Sequence, residues 1–383
     1  MATVQRLRQF GETVFTGITE LARHHGAVDL GQGYPNFDGP EFVKEAAIEA
    51  IRDGLNQYAR MYGESLLNTE IARRFAKDTG ITVDPDAEVT VTSGCTEALA
   101  SACLGLLEAG DQVIVLEPFY DAYVVDTVLA NGVPRYVTLL PPGFRVDPEA
   151  IREVITNRTR AIIVNTPHNP TGRVFDLEEM QAIADICIEH DLIAISDEVY
   201  EYMVYRGEHI SLATLPGMWE RTVTCSSLGK TFSLTGWKVG WAIGPASLTA
   251  GLRAAHQFVT YAIATPLQYG AVAALRAGDE YYDELRAAYR IRRDILVDGL
   301  VSVGFELFEP QGTYFVYADH TPFGFADDVT FVEHLIREVG VAAIPPSAFY
   351  HDSDAGADFV RFSFCKDVAT LEHALEKLGV LRL

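Results

Sequence analysis

Between Val89 and Gly244 the apolar positions keep two alternating rhythms. Short continuous runs such as QVIVLE and AIIVN read as buried strands, and longer stretches with apolar residues three or four apart read as helices. DQVIVLEP is followed by FYDAYVVDTVLANG, a helix closed by Asn131 and Gly132. RYVTL precedes DPEAIREVI, where Asp147 suits the N-cap and Pro148 the first helical position. AIIVNTP precedes DLEEMQAIADICIEH, opened by Asp176. VTVTS, LIAISDE, RTVTCSS and GWAIG complete the strand candidates. This alternation predicts an α/β domain whose mostly parallel sheet lies between helices.

The pattern changes after Pro266. A long helical stretch, broken near Ala277 and Gly278, runs to about Val303, and strands follow around FELFE and TYFVYAD. DDVTFVEHLIREVG predicts a helix with Val329, Val332, Ile336 and Val339 on one face. VRFSFC reads as a strand and VATLEHALEKL as a closing helix. The chain therefore divides into an N-terminal segment (residues 1–35) packing with the smaller domain or a partner, a large α/β domain (36–275) and a small α+β domain (276–383). No internal repeat or low-complexity segment interrupts it.

Composition narrows the function classes. The 383 residues carry 30 Lys and Arg against 53 Asp and Glu, a net charge of −23. That balance opposes nucleic acid or an anionic membrane as partner, because phosphate binding needs clustered cations. No uncharged apolar run approaches membrane-spanning length. The five cysteines are scattered and form no CxxC pair, so neither a disulfide scaffold nor a metal site is expected. MATVQRLRQFGETVF has charges where a secretory signal needs an apolar core. The expected compartment is the cytoplasm.

In parallel sheets ligands bind at the carboxyl ends of strands, and chemistry collects there. AIIVNTP leads to Asn169, LIAIS to Asp197, Glu198 and Tyr200, and RTVTC to Ser226, Ser227 and Lys230. VTVTSGCTEAL is a strand, a small-residue turn and a helix start, which offers the backbone N–H groups of Cys95 and Thr96 to an anion. Taken singly, these are ordinary caps and turns; their convergence on one edge is not. LGKT resembles the tail of a nucleotide-binding loop, but the pattern needs glycine at Thr224 and a helix where FSLTGWKVGWAIG heads for a strand. LGQGYP runs into Pro35 and is no dinucleotide fingerprint. Pyridoxal phosphate fits better: it needs an amine for its aldehyde, a carboxylate at its ring nitrogen, neutral donors at its ring oxygen and amides for its phosphate.

The motifs LGQGYPNFDGP, NQYARMYG, VTSGCTEA, EPFYDAY, NTPHNPTG, SDEVYEY, SSLGKTFSLTGWKVGW and VRFSFCKD resemble those of the class I/II aminotransferases of the fold type I pyridoxal-phosphate superfamily. Within it the chain looks similar to the branch of kynurenine/glutamine transaminases, methionine aminotransferases and N-succinyldiaminopimelate aminotransferase-like proteins. The resemblance implies a seven-stranded sheet, a homodimer with shared active sites, and ping-pong transfer of an amino group between an amino acid and a 2-oxo acid. By motif, Lys230 would be the Schiff-base lysine and proton shuttle, and Asp197 the partner of the ring nitrogen. Asn169 and Tyr200 would bind the ring oxygen and Tyr120 would stack on the ring. Gly94, Cys95, Thr96, Ser227 and Lys238 would hold the phosphate, joined by Tyr58 from the neighbouring subunit. Lys238 stands where the family often has Arg, which keeps the charge and gives up the fork.

Arg361 would clamp the substrate carboxylate, although VRFSF alone reads as a surface strand. Gly33 and Asn169 would line the same spot, and Phe15 and Tyr261 would shape the side-chain pocket. Arg60, beside Tyr58, is the candidate for a distal carboxylate; without a second clearly placed arginine, neutral, aromatic or glutamine-like donors are favoured. Ala262 follows Tyr261 where the kynurenine transaminases would have His. Two alternatives stay open: a β-lyase acting on cysteine S-conjugates or cystathionine with the same cofactor groups, and a non-catalytic sensor on this fold.

Overall fold

The computed structural model describes residues 4–382 apart from residues 9 and 12, so the opening MAT lies outside the described residues. The chain begins with α1 (Val14–His25), whose first turn is capped by Thr13, and β1 (Val28–Asp29). Helices α2 (Glu41–Arg52) and α3 (Ser65–Thr79) lead to the central sheet. Its strands are β2 (Val89–Ser93), β3 (Gln112–Glu117), β4 (Val133–Thr138), β5 (Thr159–Asn165), β6 (Ile193–Asp197), β7 (Thr222–Ser227) and β8 (Val239–Ile243). Between them lie α4 (Gly94–Leu106), α5 (Ala122–Leu129), α6 (Pro148–Val154), α7 (Leu177–Glu189) and the single turn α8 (Leu228–Thr231). The cap signals act as their chemistry dictates. Asp147 accepts the N–H groups of Glu149 and Ala150, and Asp176 with Glu179 forms a reciprocal capping box.

The sheet runs β2-β8-β7-β6-β5-β3-β4, and β8 is antiparallel to both its neighbours. The other six strands share one direction, so the expected mostly parallel, seven-stranded sheet is present. Apart from the half-exposed edge strand β4, its strands are almost wholly buried because both faces are covered, even where β2 and β7 carry Ser and Thr. The reversal of β8 matters for the site. Its start pairs Val239 with Ser93 and Gly240 with Ser227, so Lys238 enters at the edge where β2, β6 and β7 end.

Three helices follow: α9 (Ala246–Val259), α10 (Thr265–Leu275) and α11 (Asp279–Val303), the last two parted at Ala277–Gly278 as the sequence indicates. Then come β9 (Glu306–Phe308), β10 (Phe315–Asp319), α12 (Asp328–His334), β11 (Val341–Ala342), β12 (Phe359–Ser363) and α13 (Val368–Leu378). β12, β10 and β9 form an antiparallel sheet, and β1 pairs in parallel with β11. The N-terminal segment thus packs on C-terminal elements. The helix expected over DDVTFVEHLIREVG is shorter and ends in a π turn over Leu335–Val339. Val332, Ile336 and Val339 are buried, whereas Val329 is 48% exposed. Its place on the apolar face is therefore corrected: the buried positions are 328, 331, 332, 335, 336 and 339, so Asp328, which accepts the Ser347 N–H, takes the inward place in the first turn and Val329 lies beside the face.

Candidate active site

β2 ends at Ser93 and α4 starts at Gly94, whose φ of +73° makes the sharp turn open to glycine. The first-turn N–H groups of Gly94, Cys95 and Thr96 have no intrahelical acceptors and carry the positive end of the helix dipole. Lys238, left-handed at φ 52°, brings Nζ to 3.4 Å from Thr96 Oγ1. A Cβ added to Gly94 would sit 3.1 Å from that ammonium. Four amino-terminal features, three amides and a cation, thus surround a space suited to a dianion.

β6 delivers Asp197, 4% exposed, to the same edge. Its carboxylate accepts from Tyr123 Oη (2.8 Å), the Val199 N–H (3.3 Å) and Cys95 Sγ (3.5 Å). Burial raises its pKa, and these donors with the nearby Lys230 charge pull against that rise. β7 leads through Ser227 into α8 and Lys230. The lysine pKa is lowered, first by burial and further by the charges of Arg361 and Lys238. Lys230 Nζ lies 3.4 Å from the Gly33 carbonyl and under 6 Å from the ring centres of Tyr200 and Tyr314. A lysine held in this way deprotonates more readily than one in water.

A cavity of about 280 Å³ joins these groups. Gly33, Gly94, Cys95, Thr96, Tyr120, Asn169, Asp197, Tyr200, Ser227, Lys230 and Lys238 all line it. Arg361 lies behind Asn169, to whose Oδ1 it donates through Nη1 at 3.0 Å; Nη2 donates to the Gly31 carbonyl at 2.9 Å. The surface position that VRFSF alone suggests is wrong. Arg361 is 1% exposed because β12 is covered on both faces, and its guanidinium stacks 4.1 Å from the Phe315 ring centre. Burial lowers its pKa to about 10, which still leaves it cationic at neutral pH. Among the described residues no carboxylate lies within ion-pair distance of it, and its Nε has no hydrogen-bond partner.

Other expectations divide. Phe15 sits 5.3 Å from the Arg361 guanidinium and 6.0 Å from the Phe349 ring. Tyr58, 87% exposed, and Tyr261 meet edge-on at the surface of this chain, outside the cavity. Arg60, the candidate for a distal carboxylate, pairs with Asp86 (2.9 Å), the Gly63 carbonyl and Tyr62 and does not line the cavity, which accords with the expectation of an uncharged substrate side chain. The sequence reading also passed over three polar residues. Tyr123 lies one helical turn beyond Tyr120 in EPFYDAY. Asn165, in NTPHNP, donates to the Asp197 carbonyl at 2.9 Å and accepts the Asn169 N–H at 2.8 Å. Tyr314, which donates to the Gly33 carbonyl at 2.6 Å, comes from a segment read only as a strand.

The model of the aminotransferase class I and II family matches residues 26–378. The chain belongs to that family. It is 46% identical over 350 residues to a probable N-succinyldiaminopimelate aminotransferase of Mycobacterium tuberculosis, spanning 91% of this chain and 88% of the relative. The solved N-succinyldiaminopimelate aminotransferase from that organism superposes with a TM-score of 0.97 over 99% of this chain and 100% of its own. The methionine aminotransferase of Escherichia coli is 40% identical over 91% of this chain and 90% of its own length, and its structure gives a TM-score of 0.96 over the whole of both chains. The kynurenine–oxoglutarate transaminase of Dictyostelium discoideum is 38% identical over 90% of this chain and 87% of its own. The fold is that of the fold type I enzymes, and the protein is a pyridoxal-phosphate-dependent aminotransferase acting on amino and oxo acids. The residues present suit that cofactor: three amides and a cation for its phosphate, a buried carboxylate without a cationic side-chain partner, and a lysine of lowered pKa beside both. Neither the lyase nor the sensor alternative gains support. No helix among the described residues is long and apolar enough to cross a membrane.

Proposed function

We propose that this aminotransferase takes amino donors with neutral, apolar or aromatic side chains, glutamine-like ones included, and that the groups gathered at the sheet edge divide the work. When bound, the cofactor supplies a carbonyl that captures the amino group and a ring that absorbs the electron pair freed at Cα. Asp197 keeps the ring nitrogen protonated, and Tyr123 and Cys95 keep Asp197 charged and aimed. Gly94, Cys95, Thr96, Ser227 and Lys238 hold the phosphate, and Tyr120 covers the ring face. Asn169 and Tyr200 bind the ring oxygen. Arg361 takes the substrate carboxylate through two parallel N–H donors, with the Gly33 backbone beside it. That grip orients the Cα–H bond toward Lys230, whose amine removes the proton and later returns one. Lowered basicity suits that double duty.

The observation that carries this reading is that two buried charges at this site have no salt-bridge partner among the described residues: Asp197 in the cavity wall, and Arg361 just behind the cavity-lining Asn169. Phe15 and Phe349 beside Arg361, with Arg60 spent on Asp86, favour an uncharged substrate side chain. Exposed Tyr58 and Tyr261 favour a homodimer in which each chain lends these rings to its partner's site. The free, buried cysteines accord with a reducing, cytoplasmic setting. The test is a donor panel run against several 2-oxo acids, with pyruvate release from cysteine conjugates measured alongside. Methionine, glutamine and aromatic donors should exceed aspartate and glutamate. Preference for a dicarboxylic donor, or for an N-succinylated diamino acid, would refute the substrate assignment.

A further inference from the structure

His256 on α9 is fully buried, and both its ring nitrogens face acceptors. Nδ1 lies 2.9 Å from Glu97 Oε1, and Nε2 lies 2.7 Å from the Met61 carbonyl. An imidazole with an acceptor at each nitrogen is held as the doubly protonated cation. Burial pulls its pKa down, but the Glu97 carboxylate and the Met61 carbonyl outweigh that and raise it.

The partners of this pair matter more than its charge. Glu97 is the fourth residue of α4, and its Oε2 accepts the Ser93 N–H at 2.9 Å. It closes the strand-to-helix turn that presents the amides of Gly94, Cys95 and Thr96. Ser101 Oγ holds its other oxygen at 2.6 Å. Met61 lies three residues after Tyr58, whose ring meets Tyr261, five residues after His256. α4 and α9 touch backbone to backbone where Gly105 faces Gly251, so that a Cβ on either would strike the other's carbonyl. One buried link therefore ties the α4 amino terminus to the Tyr58–Met61 segment and to the end of α9.

We propose that His256 and Glu97 are positioning residues for the cofactor's phosphate, setting the α4 amides that each subunit keeps against the tyrosine it lends to its partner. Neither side chain lines the cavity; both act through Cys95, Thr96 and Tyr58. The inference rests on the phosphate cup described under the proposed function. It implies that the two sites of a dimer share a mechanical connection, because one ion pair supports donors belonging to both.

The test compares the affinity of the cofactor-free protein for pyridoxal phosphate with its affinity for pyridoxal, which has no phosphate. Equilibrium dialysis is run on the native protein, His256→Asn, His256→Gln and Glu97→Gln, with thermal unfolding measured in parallel. Each variant should bind pyridoxal phosphate about tenfold or more weakly, because displaced α4 amides lose the equivalent of one charge-assisted hydrogen bond to the phosphate. Pyridoxal affinity should change by less than about twofold on the same reasoning. Equal losses for both ligands, or an unchanged preference for the phosphate form, would overturn the proposal, since a merely structural role lowers both together. If the His256 variants do not fold, Glu97→Gln, nearly identical in shape, makes the same comparison. A native protein that binds both forms equally would refute the phosphate cup itself, a result distinct from failure of the positioning role.

Discussion

Replacing Arg361 with Lys keeps a positive charge and removes the fork, which makes it a sharp probe of the carboxylate clamp. Nη1 and Nη2 rest on Asn169 Oδ1 and the Gly31 carbonyl, 3.0 and 2.9 Å away. The guanidinium plane is fixed against Phe315, Phe15 and Phe349 at 4.1, 5.3 and 5.1 Å from their centres. A lysine ammonium cannot stack in that aromatic cage or offer two parallel donors. The substitution removes one charge-assisted hydrogen bond to the substrate, about 1.5–3 kcal/mol. That corresponds to a fall of roughly 10- to 150-fold in kcat/KM. Arg361→Leu leaves the substrate carboxylate buried and unpaired, at about 3–5 kcal/mol, and should cost some hundreds- to thousands-fold.

The assay is the single-turnover half-reaction, followed by the cofactor's visible absorbance, with an amino acid and with the amine of the same side chain. The amine has no carboxylate, so its slow rate should barely change in Arg361→Lys while the amino acid rate collapses toward it. If the variant stays within about threefold of native, or if acid and amine fall together, the carboxylate is bound elsewhere and Arg361 is structural.

Three further outcomes follow from the same geometry. Lys230→Ala should lose at least about a thousandfold in turnover, and borohydride followed by peptide mass spectrometry should place the cofactor's mass on Lys230 in the native protein only. Capture of the cofactor by the cofactor-free protein requires neutral Lys230; because burial lowers its pKa, the capture rate should rise with pH and level off below the 10.5 of an ordinary lysine. A plateau at or above that value would show that the cavity does not perturb the amine. Tyr123→Phe removes the 2.8 Å donor to Asp197, so burial should push that carboxyl higher still and kcat should fall about tenfold; an unchanged kcat and cofactor spectrum would show that Asp197 does not need Tyr123.

The sequence was most informative where local rules act alone. Asp147, Asp176 and the break at Gly278 appear as expected because caps and chain breaks depend on a few neighbouring atoms. Strand ends carrying Asn169, Asp197 and Lys230 were equally legible, since parallel topology brings those ends to one edge. The misses share a cause in long-range packing. Strand periodicity alone put Arg361 at the surface, because it cannot say which face a second layer covers; the motif VRFSFCKD marked it as the carboxylate clamp. Arg60 came into question for a distal carboxylate because its partner Asp86 lies 26 positions away. Tyr314 joins the site from more than 280 positions beyond Gly33, and no window of sequence contains both. Val329 was misplaced because Asp328 turns inward to meet Ser347, 19 positions away, and takes the buried place in the first turn.

The buried charges themselves separate structure from function. Most are answered within the chain: Glu70 meets Arg73 and Arg276, Glu179 meets Arg173, Glu97 meets His256, and Glu198 meets His209. Breaking such a pair costs stability because a charge is left behind. Two carboxyls, Asp126 and Glu201, each keep an oxygen with no partner, and burial pushes their pKa values to about 7 and about 8. Burial thus favours their protonated forms, which lessens the penalty of an unpaired charge. Arg361 has no such escape, because its guanidinium stays protonated even at a pKa near 10. Asp197 is held toward its charged form by three donors although it is buried. A fold selected for stability alone would pair these two groups with neighbours or replace them with apolar side chains. Instead it holds Asp197 in a cavity also lined by Lys230, whose pKa burial lowers, and Arg361 behind that cavity's Asn169, in a chain whose net charge of −23 otherwise repels anions. At physiological ionic strength that distant charge is screened beyond about 8 Å. What an entering carboxylate meets is therefore local: Arg361, Lys238 and the α4 amino terminus attract it, and Asp197 in the same cavity opposes it.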